Sequence, residues 1–281
     1  MVMNFALIEP RHLFIQRCDV LATLTAAEVW DTDSLHQFRV NLHACLAWQP
    51  LWQITALHGN FGCQVEQWRS LLKSVSRQRN NDVFHTYLQG LPHSRALCRK
   101  LRRQATTPRK PADQQLQALL LGLQQMLSAW QQWMTPLLFQ QQLAVVRAIY
   151  VAHIRESLQQ GLQASQRNLH GLRLTIKALR YLLDLIATVA PDYQALGSHC
   201  RLWQDKLGHF ADLDALARWL KRQEEPALAA LVRGRRRVLA KILWAEREDI
   251  EQLLTRVMAT QLPDCQQLAL VFGLRTDVRM A

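Results

Sequence analysis

His170, Arg173, Lys177 and Arg180 recur at intervals of three and four residues in the run LHGLRLTIKALRYLLDLI, residues 169–186. At about 100° per residue they project at about 0°, 300°, 340° and 280°, inside a sector about 80° wide. Imidazole, guanidinium and ammonium groups stacked on one helix face can donate hydrogen bonds to several oxyanions at once. Leu169, Leu172, Ile176, Leu179, Leu182, Leu183 and Ile186 fill the neighbouring arc, from about 120° to 260°. The helix therefore buries one stripe and holds the cations beside it. A solvated helix face usually mixes signs at i,i+4. This one does not, for Asp184, the nearest acid, stands a turn beyond the column. Like charges so placed repel until something polyanionic neutralises them.

The same pattern lies 134 residues earlier, in LHQFRVNLHACLAW, residues 35–48. There His36, Arg39 and His43 stand under His170, Arg173 and Lys177, and Leu35, Phe38, Leu42 and Cys45 match the apolar positions. Two further anchors keep nearly this offset. RQRNNDVF (77–84) parallels HFADLDAL (209–216), and PHSRALCRKLRR (92–103) parallels PALAALVRGRRR (226–237). In the latter pair Arg99, Arg102 and Arg103 lie under Arg233, Arg236 and Arg237, and Lys241 continues the second run on the same helix side. Ordered anchors over half a chain point to internal duplication, with a period too long for a solenoid. The expectation is two similar halves packed about a pseudo-twofold axis.

Lys and Arg together number 34 against 22 acids, a net charge of +12 in 281 residues, and 27 of the cations are Arg. Arg presents a planar fork that fits phosphate oxygens in pairs, whereas Lys is a flexible point charge. A chain of this length and 49% hydrophobic content can bury a large core. Cys18, Cys45, Cys63, Cys98, Cys200 and Cys265 show no CxxC and no metal-ligand spacing, so they read as reduced thiols of a cytoplasmic protein. The N-terminal MVMNFALIEPRHLF lacks the basic region and cleavage site of a signal peptide. The longest apolar runs are cut by Arg147, His153 or Asp184, so no membrane span is expected.

Strand signals are almost absent, and apolar residues recur every three to four positions nearly throughout. The spacing predicts an all-α chain with helices near 12–28, 33–49, 62–78, 81–104, 113–133, 136–166, 169–189, 193–208, 212–222 and 225–260. Breaks are expected at Pro50, His58-Gly59-Asn60, Thr106-Thr107-Pro108, Pro136, Pro191 and Gly208. The first half would span 12–150 and the second 151–260 within one domain, 1–281, the boundary falling inside or just after a long helix. Residues 261–281 read as a weakly patterned tail.

His36 and His43 share a face seven residues apart, but two histidines without a third ligand make a poor metal site. Asp82, Asp205, Asp212 and Asp214 read as helix caps or partners of the arginines, and the tryptophans as core. No P-loop, paired-carboxylate metal site or nucleophile–base motif is visible.

Taken together, HGLRLTIKALRY (170–181) and LWQDKLGHFADLDAL (202–216) resemble the second half of a CHAD domain, the conserved histidine α-helical domain. HQFRV (36–40) and RNNDV (79–83) are similar to its first half. The resemblance runs from about 12 to 260, and departs where His43, Ala44 and Leu46 stand in place of the family's usual Arg. It implies two pseudo-symmetric antiparallel helical bundles facing a central basic channel that binds inorganic polyphosphate. Arg79 and Lys206, inside the similar segments, join the expected polyphosphate contacts. Members often follow a triphosphate tunnel enzyme domain, whose Glu-x-Glu-x-Lys pattern is absent here, so a stand-alone domain is expected. The resulting expectation is a cytoplasmic polyphosphate-binding protein, at polyphosphate granules where these exist, with no cofactor, metal or catalysis of its own. Nucleic acid is a secondary partner, since the same charge attracts it, though no base-reading module or stacking surface is seen. A scaffold docking an acidic protein is the other alternative.

Overall fold

The computed structural model describes residues 10–52, 58–104, 110–160, 166–272 and 274. Among the described residues there are eleven α-helices and no strand: α1 (Pro10–Ala26), α2 (Thr32–Trp52), α3 (His58–Gln89), α4 (Arg95–Gln104), α5 (Asp113–Trp133), α6 (Pro136–Gln159), α7 (Gln166–Ala187), α8 (Tyr193–Arg222), α9 (Pro226–Ala245), α10 (Arg247–Ala259) and α11 (Cys265–Phe272). The chain is all-α, as its periodicity predicts.

Several boundaries differ from the sequence expectation. The polar run at 79–82 does not break α3, since Asn and Asp only lower helix propensity, and Phe84 and Leu88 beyond it are buried. The break comes instead at Gly90–Ser94, where His93 takes φ 56° and the Ser94 hydroxyl sits on the Leu91 carbonyl at 2.8 Å. Gly208 does not end α8 either. One interior Gly costs about 1 kcal/mol relative to Ala, and Trp203, Leu207, Phe210 and Leu213 hold the helix down on both sides of it. Asp212 therefore stands inside α8 and not at a helix start. The expected helix at 225–260 is two, divided at Glu246.

The apolar faces meet in two clusters. The larger takes in α1, α2, α5, α6, α7, α10, α11, the first parts of α3 and α8, and Leu243 near the end of α9. The smaller joins the end of α3 to α4, the end of α8 and the start of α9 through Phe84, Leu88, Leu97, Leu101, Leu213, Trp219 and Val232. Helix α7 is central to the larger one, with Leu172, Ile176, Leu179, Leu182, Leu183 and Ile186 all buried. That is the stripe read from its sequence. Helix α2 lies against it, and the Trp48 indole donates to the Tyr181 carbonyl at 2.8 Å. The Tyr150 hydroxyl of α6 donates to Ala47 of α2, also at 2.8 Å.

Part of the tail is structured: α11 buries Leu268 and Phe272, and the Phe272 ring meets Phe139 edge-on at 4.4 Å. Helix α6 is long and apolar enough to cross a membrane by length and composition, which the sequence reading did not expect. Here Phe139, Leu143, Val146, Val151 and Ile154 of that helix are buried in the larger cluster. Arg147 on α6 is buried too. Its Nη1 donates to the Tyr193 hydroxyl at 2.7 Å and to the carbonyls of Val257 at 3.1 Å and Thr260 at 2.7 Å. These are carbonyls at the end of α10, which the helix itself leaves unpaired and which favour a cation.

Removing this latch strands buried acceptors. Arg147→Met is expected to cost about 2–4 kcal/mol in urea unfolding, and Tyr193→Phe, which removes a single hydroxyl, about 1 kcal/mol.

Candidate functional site

Helices α2, α3, α6, α7 and α8 surround an open cavity of about 1050 Å³. Helix α7 contributes His170, Arg173 and Lys177, one turn apart along its cationic face. Helix α2 contributes Arg39 and His43 from the matching face, and α3 adds Arg69 and Lys73. On the far wall α8 brings Asp212, Asp214 and Arg218. Each cation arrives beside an apolar residue that anchors its helix: Phe38 and Leu42 bracket Arg39, and Leu172 and Ile176 bracket Arg173. The site is thus the polar edge of the core packing.

The carboxylates are not idle. Asp214 pairs with Arg236 of α9 and, at 3.0 Å, with Arg218 one turn along α8. It was read as a partner of the arginine runs, and it is one. The sequence column is not wholly preserved, however. Arg180, 7% exposed, does not line the cavity. Its guanidinium stacks on the Tyr181 ring at 4.3 Å and lies 4.0 Å from Asp184. Asp184 is closely overlaid by α8, where a Cβ on Gly197 would stand 2.9 Å from its Oδ1. Glycine at 197 lets the two helices meet over that carboxylate.

The other expected contacts lie elsewhere. His36 is exposed on α2 and does not line the cavity. Arg99, Arg102 and Arg103 are exposed on α4, where Arg102 Nε donates to His85 at 3.0 Å. Arg233, Arg237 and Lys241 lie along α9, while Lys206 pairs with Glu246 and sits 4.8 Å over the Trp203 ring. Arg79 falls on α3, but its side chain lies outside the described residues. Sequence reasoning missed Arg69, Lys73, His153 and Arg218. Arg69 bonds Glu66 at 2.5 Å and Arg218 bonds Asp214, so both read as members of ordinary mixed-sign faces. Among the described residues no group of three or more His, Cys, Asp or Glu is placed to hold a metal ion.

The family model of the CHAD domain matches residues 17–221, most of the chain and all five helices of the cavity. The chain belongs to the CHAD domain family. Its fold is similar to that of the CHAD domain from the plant Ricinus communis, solved by crystallography, with a TM-score of 0.64 and 18% identity over 92% of this chain and 94% of that one. No sequence among the curated proteins matches the chain.

In this CHAD domain burial and then the cavity charges bear on two of its imidazoles, His43 and His170. Burial, then Lys177, Arg39, Arg173 and Arg180, press the His43 pKa down to about 2. His170 is lowered as well, by burial and then by Arg173 and Arg218, with Asp214 opposing. His43 is therefore neutral near pH 7. Below that pH the unfolded chain binds a proton that the folded one refuses, so stability is lost as pH falls from about 6.5 toward about 2. The slope from one such group reaches about 1.4 kcal/mol per pH unit. Urea unfolding between pH 7 and pH 5 should show wild type losing about 1–2 kcal/mol more than His43→Gln.

Proposed function

We propose that this CHAD domain binds inorganic polyphosphate in the cavity between α2, α3, α7 and α8, without catalysis of its own. The observation that carries the reading is the convergence of Arg39, Arg69, Lys73, Arg173, Lys177 and Arg218 on one cavity whose carboxylates are Asp212 and Asp214. A chain of phosphates can engage several such groups through charge-assisted bonds, each neutralised phosphate releasing a condensed counterion. Family membership supports the same ligand, through what the resemblance implies. RNA and DNA would bring phosphate too, but their bases need stacking faces, and of the cavity aromatics Tyr181 and Phe210 are buried while Tyr150 is half-buried with its hydroxyl tied to Ala47.

The basic runs on α4 and α9 serve as outer contacts for the same ligand in this reading, because the smaller apolar cluster gathers both helices at one end. A duplicated architecture around a basic channel fits the element bounds. Thr32 and Gln166, the first residues of α2 and α7, stand 134 residues apart, as do Asp113 and Arg247, which open α5 and α10. The place of action in this reading is the cytoplasm, at polyphosphate granules where they form.

Long-chain polyphosphate should outcompete RNA and duplex DNA at equal phosphate concentration and about 0.15 M salt; nucleic acid winning that competition would hand the cavity to the other reading. No phosphate should be released from polyphosphate or nucleoside triphosphates, with or without divalent metal. Turnover that Arg173→Ala abolishes would overturn the binding-only assignment.

Arg173→Ala and Lys177→Ala should each weaken polyphosphate binding about tenfold, roughly 1.4 kcal/mol, and flatten its salt dependence by about one counterion. Arg180→Ala should cost stability instead. Equal affinity losses from all three, measured by fluorescence titration, would place the ligand on the whole α7 column and not in the cavity.

A further inference from the structure

His43 stands where the matching face of α7 carries Lys177, and it lines the cavity together with that lysine. The charges that bear on its ring are all positive: Lys177, Arg173 and Arg180 from α7 and Arg39 from its own helix. Among the described residues the other helices packed on α2 place no carboxylate in the cavity lining, although Glu66 of α3 bonds the wall cation Arg69 at 2.5 Å. Helix α3 brings Arg69 and Lys73 to the wall, and α6 brings Tyr150 and His153. Arg17 of α1 is held on Asn41 at 2.9 Å. The wall carboxylates, Asp212 and Asp214, stand on α8 beside His170 and Arg218, and Asp214 is engaged by Arg218 and Arg236. An imidazole so surrounded has every reason to stay neutral until an anion arrives.

We propose that His43 takes up a proton from solvent when polyphosphate enters the cavity, so that ligand and proton bind together and binding tightens as pH falls. The inference rests on the polyphosphate reading of the site. The step is balanced without any other reactant. Neutral imidazole has one N–H, and the imidazolium has two, each able to donate to a phosphate oxygen. Burial, then the field of Lys177, Arg39 and Arg173, keeps the proton away from the imidazole; the bound chain cancels that field, and its oxygens accept from both N–H groups of the imidazolium. A fixed Arg at this position would hold its charge in both states and could not couple the two events. Linkage then sets the size of the effect: a whole proton taken up makes affinity rise tenfold for each unit of pH lowered.

The test is isothermal titration of the full chain with long-chain polyphosphate, whose internal phosphates do not titrate in the window used. Measured at pH 6.0 in two buffers of different ionisation enthalpy, the heats report the number of protons absorbed. Wild type is expected to absorb about half to one proton per site. His43→Gln should absorb close to none, whatever its affinity. His43→Arg should bind with no uptake and a flat pH profile from 5.5 to 7.5. Uptake that persists in both His43 variants overturns the inference, as does uptake lost only in His153→Gln or His170→Gln, which would reassign the proton. A wild-type chain that fails to bind polyphosphate at any pH overturns the functional reading itself, a different result from binding without a proton.

Discussion

Arg39, Arg173 and Lys177 share the seam between α2 and α7 with an imidazole kept neutral by burial and by them, and helices that present like charges to each other do not pack unless something stronger holds them. Two unit charges 4 Å apart interact by about 4 kcal/mol at the effective dielectric near a protein surface. The opposing force is apolar burial immediately behind the charges. Phe38 and Leu42 on one side and Leu172, Ile176 and Leu179 on the other are between 0% and 3% exposed, each giving about 1.5–3 kcal/mol on leaving water. Two buried or nearly buried hydrogen bonds, Trp48 to Tyr181 and Tyr150 to Ala47, pin α2 in place against its neighbours. Much of the fold can be understood as the apparatus that keeps this seam shut while leaving its polar edge open.

Arg180 shows how the same helix face divides its labour. It continues the column in projection, yet it lies on the core side, against Asp184 and the Tyr181 ring. Burial raises the Asp184 pKa, and Arg180 is the first charge to oppose that rise. The pair lies beneath α8, where Gly197 leaves room for the Asp184 carboxylate. A charge at that depth is best spent on its own partner, since a buried cation without one costs several kcal/mol. The open part of the column, from His170 to Lys177, is left to face the cavity.

The stripe and column of α7 were legible in the sequence because a single helix generates them: a fixed angular step turns residue number into direction. The α2 column was legible for the same reason. What periodicity could not supply is which other helix would come to face them. Arg69, Lys73 and Arg218 stand on the cavity wall through tertiary packing, and two of them sit beside acids at i−3 or i−4, which hides them among ordinary surface pairs. Helix ends were read less well than helix faces. Asn80, Asn81, Asp82 and Gly208 carry weak local penalties that buried neighbours outweigh, and α11 is too short to show a pattern of its own.

The first-half column looks like a degraded copy of the second until its departures are placed in the fold. Leu46, matching Arg180, packs against the larger apolar cluster, and His36, matching His170, has left the cavity for solvent. His43, matching Lys177, remains on the wall without a fixed charge. His43 in place of Lys177 removes a fixed positive charge, and Leu46 in place of Arg180 replaces another with apolar burial. A cavity built from two full cationic columns would pull harder on a polyanion but would push its own helices apart harder when empty. A thinner α2 column facing the α7 column limits that repulsion in a chain whose net charge is +12. The unequal columns of α2 and α7 therefore ease the repulsion at the seam, and the imidazole at position 43 adds no fixed charge to it.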